Sequence, residues 1–325
     1  MQDHEFAKYV RAIGRGPGRG LALTCEEAAA AMRLVLAGAV EPVQLGAFLM
    51  LLRYRGETAA ELAGFVTAAR ETLASPAGPA PDLDWPSYAD RHRQLPYFVL
   101  AALLLARAGV RVLMHGIAGN AEGHVTTRAV LAALDVPTET SLSDARARLE
   151  QHAFAYVGLE HICPALERLF ALRPLLGLRS PVNSLARALN PLGARCQMQG
   201  VFHPAYRTLH QETASLLAQP RAAVFKGGGG EVQRNPDKPC AVALVVDGAA
   251  GEETWPALAA ESAFRPREEA QEAARVVALW RGERDDAGAV ATVTGTAAVA
   301  LKLLGRADTQ EAAQATAEAL WRGRW

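Results

Sequence analysis

The chain has 325 residues, half of them apolar, and 34 basic side chains balance 34 acidic ones. That length carries a large core and more than one domain, and the zero formal charge excludes a uniform polycation while allowing local excess. Four cysteines (Cys25, Cys163, Cys196, Cys240) form no CxxC pair, which sets aside zinc binding and a disulfide framework in favour of buried thiols.

The opening MQDHEFAKYV has no apolar h-region. No uncharged apolar run of about 18 residues follows anywhere, so no membrane span is expected and the expected location is the cytoplasm. The first 75 residues read as helices. Thr24-Cys25-Glu26-Glu27 is a capping box, predicting a helix from Glu26 to Leu36. Pro42 suits the first turn of a second helix with Leu45, Phe48, Leu49 and Leu52 at helical spacing, stopped at Gly56. A second box, Thr58-Ala59-Ala60-Glu61, starts a third.

Ser75 to Pro81, SPAGPAP, is a Pro/Gly linker. Beyond it strands and helices alternate. Helices are predicted over Tyr97–Ala108 and Val125–Leu134, and strands over Val110–Met114, Ala153–Gly158, Ala222–Phe225 and Ala241–Val246. Glu268–Trp280, Val290–Leu304 and Thr309–Trp321 read as closing helices. The pattern predicts an α/β protein: a small N-terminal helical domain (1–75, sharing part of about 160–195) and a larger domain (82–325) with a mainly parallel sheet.

Short strings then point to a family. Val112-Leu113-Met114-His115-Gly116 is similar to a strand ending Lys-His-Gly-Asn. Leu172 to Ser180 resembles a helix bearing Arg-x-x-Leu-Gly-x-Arg-Thr, with Arg173 and Arg179 on its arginines. Asn183-Ser184-Leu185 and Leu189-Asn190-Pro191-Leu192 resemble Asn-Leu-Leu-Gly-Pro-Leu-x-Asn-Pro, and Gln199 to Pro204 resembles Gly-Val-Tyr/Phe-x-Pro. Their order resembles glycosyltransferase family 3, which includes anthranilate phosphoribosyltransferase. The resemblance implies that family's fold and a homodimer through the helical lobes.

It also implies a site whose parts are missing. The family's phosphate loop Gly-Thr-Gly-Gly-Asp falls on the glycine-free stretch Tyr88 to Pro96, where amides cannot close on a diphosphate in the same way. The following Asn-x-Ser-Thr reads Pro96-Tyr97-Phe98-Val99. Only His115 and Gly116 survive of Lys-His-Gly-Asn. The Asp-Glu pair that holds magnesium falls on Val232-Gln233, leaving Glu231 as one nearby carboxylate. Arg173 matches the arginine that binds the acceptor. Without the phosphate elements the transfer is not expected, since the diphosphate must be neutralised as it leaves. No cofactor or metal is expected.

Charge suggests a replacement. From Arg168 to Lys238 there are ten basic residues (Arg168, Arg173, Arg179, Arg187, Arg195, Arg207, Arg221, Lys226, Arg234, Lys238) against three acidic ones (Glu212, Glu231, Asp237). They form a polyanion footprint if they share a face, and solvated helix surfaces if they do not. Lys226-Gly227-Gly228-Gly229-Gly230 after a strand reads either as open amides that cradle phosphate or as a mobile turn. Arg91 and Arg93 add positive charge to the former phosphate loop. Tyr88, Tyr97, Phe98 and Phe225 are stacking candidates or core residues. A branch of the family with such a degenerate loop resembles nucleic-acid-binding proteins. The implied function is therefore largely sequence-independent binding of DNA, with RNA also open, at Arg91, Arg93, His115, Arg173, Arg179, Arg187, Lys226 to Gly230, Arg234 and Lys238. The alternatives are a divergent transferase using a phosphorylated ribose donor, and a protein-partner module.

Overall fold

The computed structural model describes residues 4–16, 20–74, 76–89, 94–119, 123–258 and 269–324. Four helices open the chain: α1 (Ala7–Ile13), α2 (Cys25–Leu36), α3 (Pro42–Arg55) and α4 (Ala59–Glu71). The sequence predicts three of them and misses the short α1. Both capping boxes form. Thr24 and Glu27 exchange bonds of 2.9 and 3.1 Å, and Thr58 and Glu61 of 2.9 and 3.2 Å. Glu61 is fully buried because its carboxylate also takes the Leu23 N–H at 2.9 Å and pairs with Arg55.

The α/β part runs β1 (Leu83–Ser87), α5 (Phe98–Arg107), β2 (Val112–Gly116), α6 (Thr127–Ala133), α7 (Leu142–His152), β3 (Phe154–Gly158), then four short helices, α8 (Leu159–Ile162), α9 (Pro164–Phe170), α10 (Arg173–Leu176) and α11 (Val182–Arg187). It continues with β4 (Cys196–Val201), α12 (Tyr206–Leu216), β5 (Arg221–Lys226), β6 (Cys240–Val246), β7 (Ala249–Trp255), α13 (Ala273–Trp280), α14 (Ala287–Leu303) and α15 (Gln310–Arg322). The seven strands lie in the order β3-β2-β1-β4-β5-β6-β7; β1 to β5 are parallel, and β6 and β7 are antiparallel. The fold is thus a small N-terminal helical unit beside a larger α/β unit with a mostly parallel sheet.

β1, β4 and β7 are absent from the predicted strands. β1 reads Leu-Asp-Trp-Pro-Ser and β4 reads Cys-Gln-Met-Gln-Gly-Val, yet every residue of both is buried. Their polar residues find partners inside, which no local pattern announces. Pro86 is tolerated in a central strand because pairing with β4 stops at Asp84, two residues earlier. α14 and α5 pack into the core on one side of the sheet, with Phe225, Val242 and Trp255. On the other side α8, α9 and α11 join α2 to α4 in a second core. Arg70 at the end of α4 ties the two units by donating to the carbonyls of Leu189 and Ala188 at 2.8 and 3.0 Å. None of the described helices is long and apolar enough to cross a membrane.

Candidate functional site

The carboxyl ends of β1, β2, β4 and β5 lie side by side, with Ser87 beside Gly116 and Val201 beside Lys226. That edge is where open α/β sheets take ligands. After Lys226 the chain makes a tight turn. Gly227 N–H donates to Val201 O (3.0 Å), Gly228 N–H to Gln233 O (2.7 Å) and Gly230 N–H to Gly227 O (3.0 Å). The glycine run is therefore a bonded turn in which three of four amides already have acceptors, rather than a row of open donors.

The turn carries Glu231 and Gln233 back across the strand ends. Glu231 Oε1 accepts the Ala89 N–H at 2.7 Å. Gln233 Oε1 accepts the N–H of Phe98, the first residue of α5, at 3.0 Å, while its Nε2 reaches Leu95 O at 3.2 Å. A loop amide and a helix N-terminus are the backbone features that hold an anion at such an edge. Both here hold the chain's own side chains. Gly200 makes this possible: a Cβ there would lie 2.2 Å from the Glu231 carbonyl carbon and oxygen.

Arg187 completes the plug. It is buried, and its guanidinium donates to Gly200 O (3.0 Å) and Asn183 O (2.7 Å). Burial pulls the Arg187 pKa down to about 10 although Glu231 opposes it, and burial pushes Glu231 up to about 7 although Arg187 opposes it. In both cases loss of water outweighs attraction between the partners. Among the described residues Glu231 Oε2 has no hydrogen-bond partner.

This plug does not fit a magnesium ion on a diphosphate. Val232 is fully buried, the Gln233 amide is committed to α5, and Glu231 Oε1 is committed to Ala89, which leaves one buried carboxylate oxygen where the ion needs a pair of acidic residues. Among the described residues no group of three or more His, Cys, Asp or Glu could hold a metal.

Beneath the plug runs a buried polar chain. Tyr88 Oη meets His115 Nδ1 at 2.7 Å, and His115 Nε2 lies 3.1 Å from Asp84. Asp84 accepts from Gln197 (2.8 Å), Gln197 from Gln199 (2.6 Å), and His210 Nδ1 lies 2.5 Å from Gln199 Oε1. Burial, helped by Arg187, pushes His210 down to about 3, so its ring is neutral and Nδ1 carries the proton that Gln199 accepts.

The predicted residues divide three ways. Arg91 and Arg93 lie outside the described residues. His115, Arg187, Gly227, Gly230 and Arg234 are buried. Arg234 turns away from the edge: it lies 5.4 Å over the Trp255 ring and donates to Pro256 O, so it is a core residue and not a surface phosphate contact. Tyr88, Tyr97, Phe98 and Phe225 are likewise buried, which leaves them no face for a base. Arg173, Arg179, Lys226, Gly228, Gly229 and Lys238 line open cavities.

Those cavities are neighbours that share lining residues. One of about 460 Å³ contains Arg173, one of about 120 Å³ contains Arg53, Arg179 and Arg187, and one of about 370 Å³ contains Arg207, Lys226 and Lys238. The first two share Ser180 and Asn183, and the last two share Phe202. The described lining holds seven Lys or Arg residues against two carboxylates, Glu57 and Glu167. Arg207 is partly offset by Glu252 at 3.3 Å, and Arg53 donates to Tyr206 Oη at 3.0 Å. Other members of the basic stretch leave the groove: Arg195 and Arg221 both pair with Asp247.

Sequence reasoning missed Arg53, Arg207, Gln233 and Phe202 as site residues. Gln233 had a signal, standing where the resemblance puts an acidic ligand. Arg53 had none, since α3 lies far ahead in the chain of the other basic residues of the groove.

Comparison with known proteins agrees with this architecture. Residues 8–73 match the helical bundle domain of the glycosyl transferase family, and residues 98–324 match its α/β domain. Anthranilate phosphoribosyltransferase of Methylocella silvestris is 31% identical over 94% of this chain and 89% of its own length. The uncharacterised protein YbiB of Escherichia coli K12 is 29% identical over 72% of this chain and 74% of its own. The crystal structure of anthranilate phosphoribosyltransferase from Thermus thermophilus covers 96% of this chain and 94% of that one, with a TM-score of 0.81 at 26% identity.

Proposed function

The chain belongs to the glycosyl transferase family whose helical-bundle and α/β domains it matches, and from that premise we propose that it is a non-catalytic member that binds nucleic acid in the cytoplasm through its basic groove. One observation carries the reading. The segment after Lys226 fills the anion positions of the sheet edge with Glu231 and Gln233, while Lys226, Gly228 and Gly229 line the groove. A diphosphate brought to the Ala89 amide would displace the buried Glu231 carboxyl. A phosphate chain lying along the groove would not.

Such binding draws on counterion release and is largely indifferent to sequence. The proposal includes a homodimer through the helical unit, whose Leu21, Val43 and Tyr54 side chains are exposed; light scattering would report a single-chain mass if that part is wrong.

The test is anisotropy of labelled oligonucleotides across a salt series. The expected result is affinity that falls steeply with salt. For a single strand, Lys226→Ala/Lys238→Ala should flatten the log–log slope by about 1.4, at about 0.7 for each phosphate neutralised. Absence of binding at low salt, or binding blind to these two charges, would overturn the proposal. A second reading, transfer from a phosphorylated ribose donor, is favoured by the cavity around Arg173. Thermal stabilisation by phosphoribosyl diphosphate with magnesium would support it instead.

A further inference from the structure

Phe202 follows β4 directly and is 49% exposed. It stands at the junction of the 120 and 370 Å³ cavities and lines both. The exposed His203 ring meets it edge-on at 4.8 Å and 82°. Beneath it lies the glycine turn: a Cβ on Gly230 would come within 3.4 Å of the Phe202 Cβ and 3.5 Å of its nitrogen. Gly230 also has φ +92, so a residue without a side chain forms the floor that fixes this aromatic at the rim. Cationic residues flank it on both sides, Arg53 and Arg179 in one cavity and Lys226 and Lys238 in the other.

An apolar ring held open between two runs of positive charge is the arrangement that binds a strand by its phosphates and stacks its bases. In a duplex the π-faces are already covered by neighbouring base pairs. We infer that Phe202 is a base-stacking platform and that the groove's preferred ligand is single-stranded nucleic acid. The inference rests on the nucleic-acid reading above and specifies the class of ligand for the same groove.

The experiment compares Phe202→Ala, Phe202→Leu and Phe202→Trp with the unaltered full chain. The probes are a labelled twelve-nucleotide oligothymidylate, an abasic strand of equal length and a duplex. The unaltered chain should bind oligothymidylate more tightly than the abasic strand. Phe202→Ala and Phe202→Leu should lose about ten-fold on oligothymidylate and little on the abasic strand or duplex. Phe202→Trp should keep the affinity, and its indole emission should change with oligothymidylate only. Equal affinity of Phe202→Ala and the unaltered chain for oligothymidylate, or equal losses on the abasic strand, would overturn the stacking role and leave the groove intact. Failure of the unaltered chain to bind any of the three probes would instead remove the nucleic-acid reading itself.

Discussion

Glu231→Gln removes one proton equilibrium from the centre of the plug and leaves its shape. The glutamine oxygen can still accept the Ala89 N–H now 2.7 Å from Glu231. In the unaltered chain burial raises this carboxyl from 4.5 to about 7. Below pH 4.5 it is protonated whether the chain is folded or not, and pH has no effect through it. Between 4.5 and 7 the unfolded chain releases the proton while the folded one keeps it, so stability falls as pH rises. Above 7 the loss is complete. The gap corresponds to about 3 kcal/mol at ~1.4 kcal/mol per pH unit. Glu231→Gln carries no such penalty, and His210 is common to both proteins, so its titration cancels. Urea unfolding followed by tryptophan fluorescence at pH 5 and pH 8 reads the difference. The variant should gain on the unaltered chain by up to about 3 kcal/mol more at pH 8 than at pH 5. An identical difference at the two pH values would refute the claim that a buried, proton-holding carboxyl occupies the anion position.

Gly200→Ala should cost about 1–3 kcal/mol or more, because its Cβ meets the backbone of Glu231 at 2.2 Å and a strand has little freedom to yield; an unchanged urea midpoint would show that the turn does not lie on Gly200. His210 is held near 3 against an ordinary 6.5, so stability should fall as pH drops below 6.5, by up to ~1.4 kcal/mol per pH unit. His210→Asn, which can still donate to Gln199, should flatten that acid limb in a denaturation series, whereas parallel curves would mean that His210 is protonated in the folded chain. Thr58→Ala should cost about 1 kcal/mol through the lost cap, measured as a shift in thermal midpoint.

The starts of α2 and α4 were legible because a capping box is complete within four residues and needs nothing from elsewhere. The absence of glycine from Tyr88 to Pro96, where the resemblance places the family's phosphate loop, was legible for a similar reason, since it too is read from one short stretch. What stood beyond reach was decided by distance along the chain. β1 and β4 lack the apolar run that marks a buried strand, and they hold the sheet centre because Asp84 and Gln197, 113 residues apart, satisfy one another. Arg234 and Lys238 look alike as basic residues, yet one covers Trp255 in the core while the other lines the groove. Glu231 fills an anion site only because Ala89, 142 residues earlier, offers an amide there. The sequence by itself determined which of the family's motifs is altered, because that depends on residue type at a local motif. Only the tertiary structure decided what took its place, because burial and hydrogen-bond partners are chosen by elements that meet after the chain has folded.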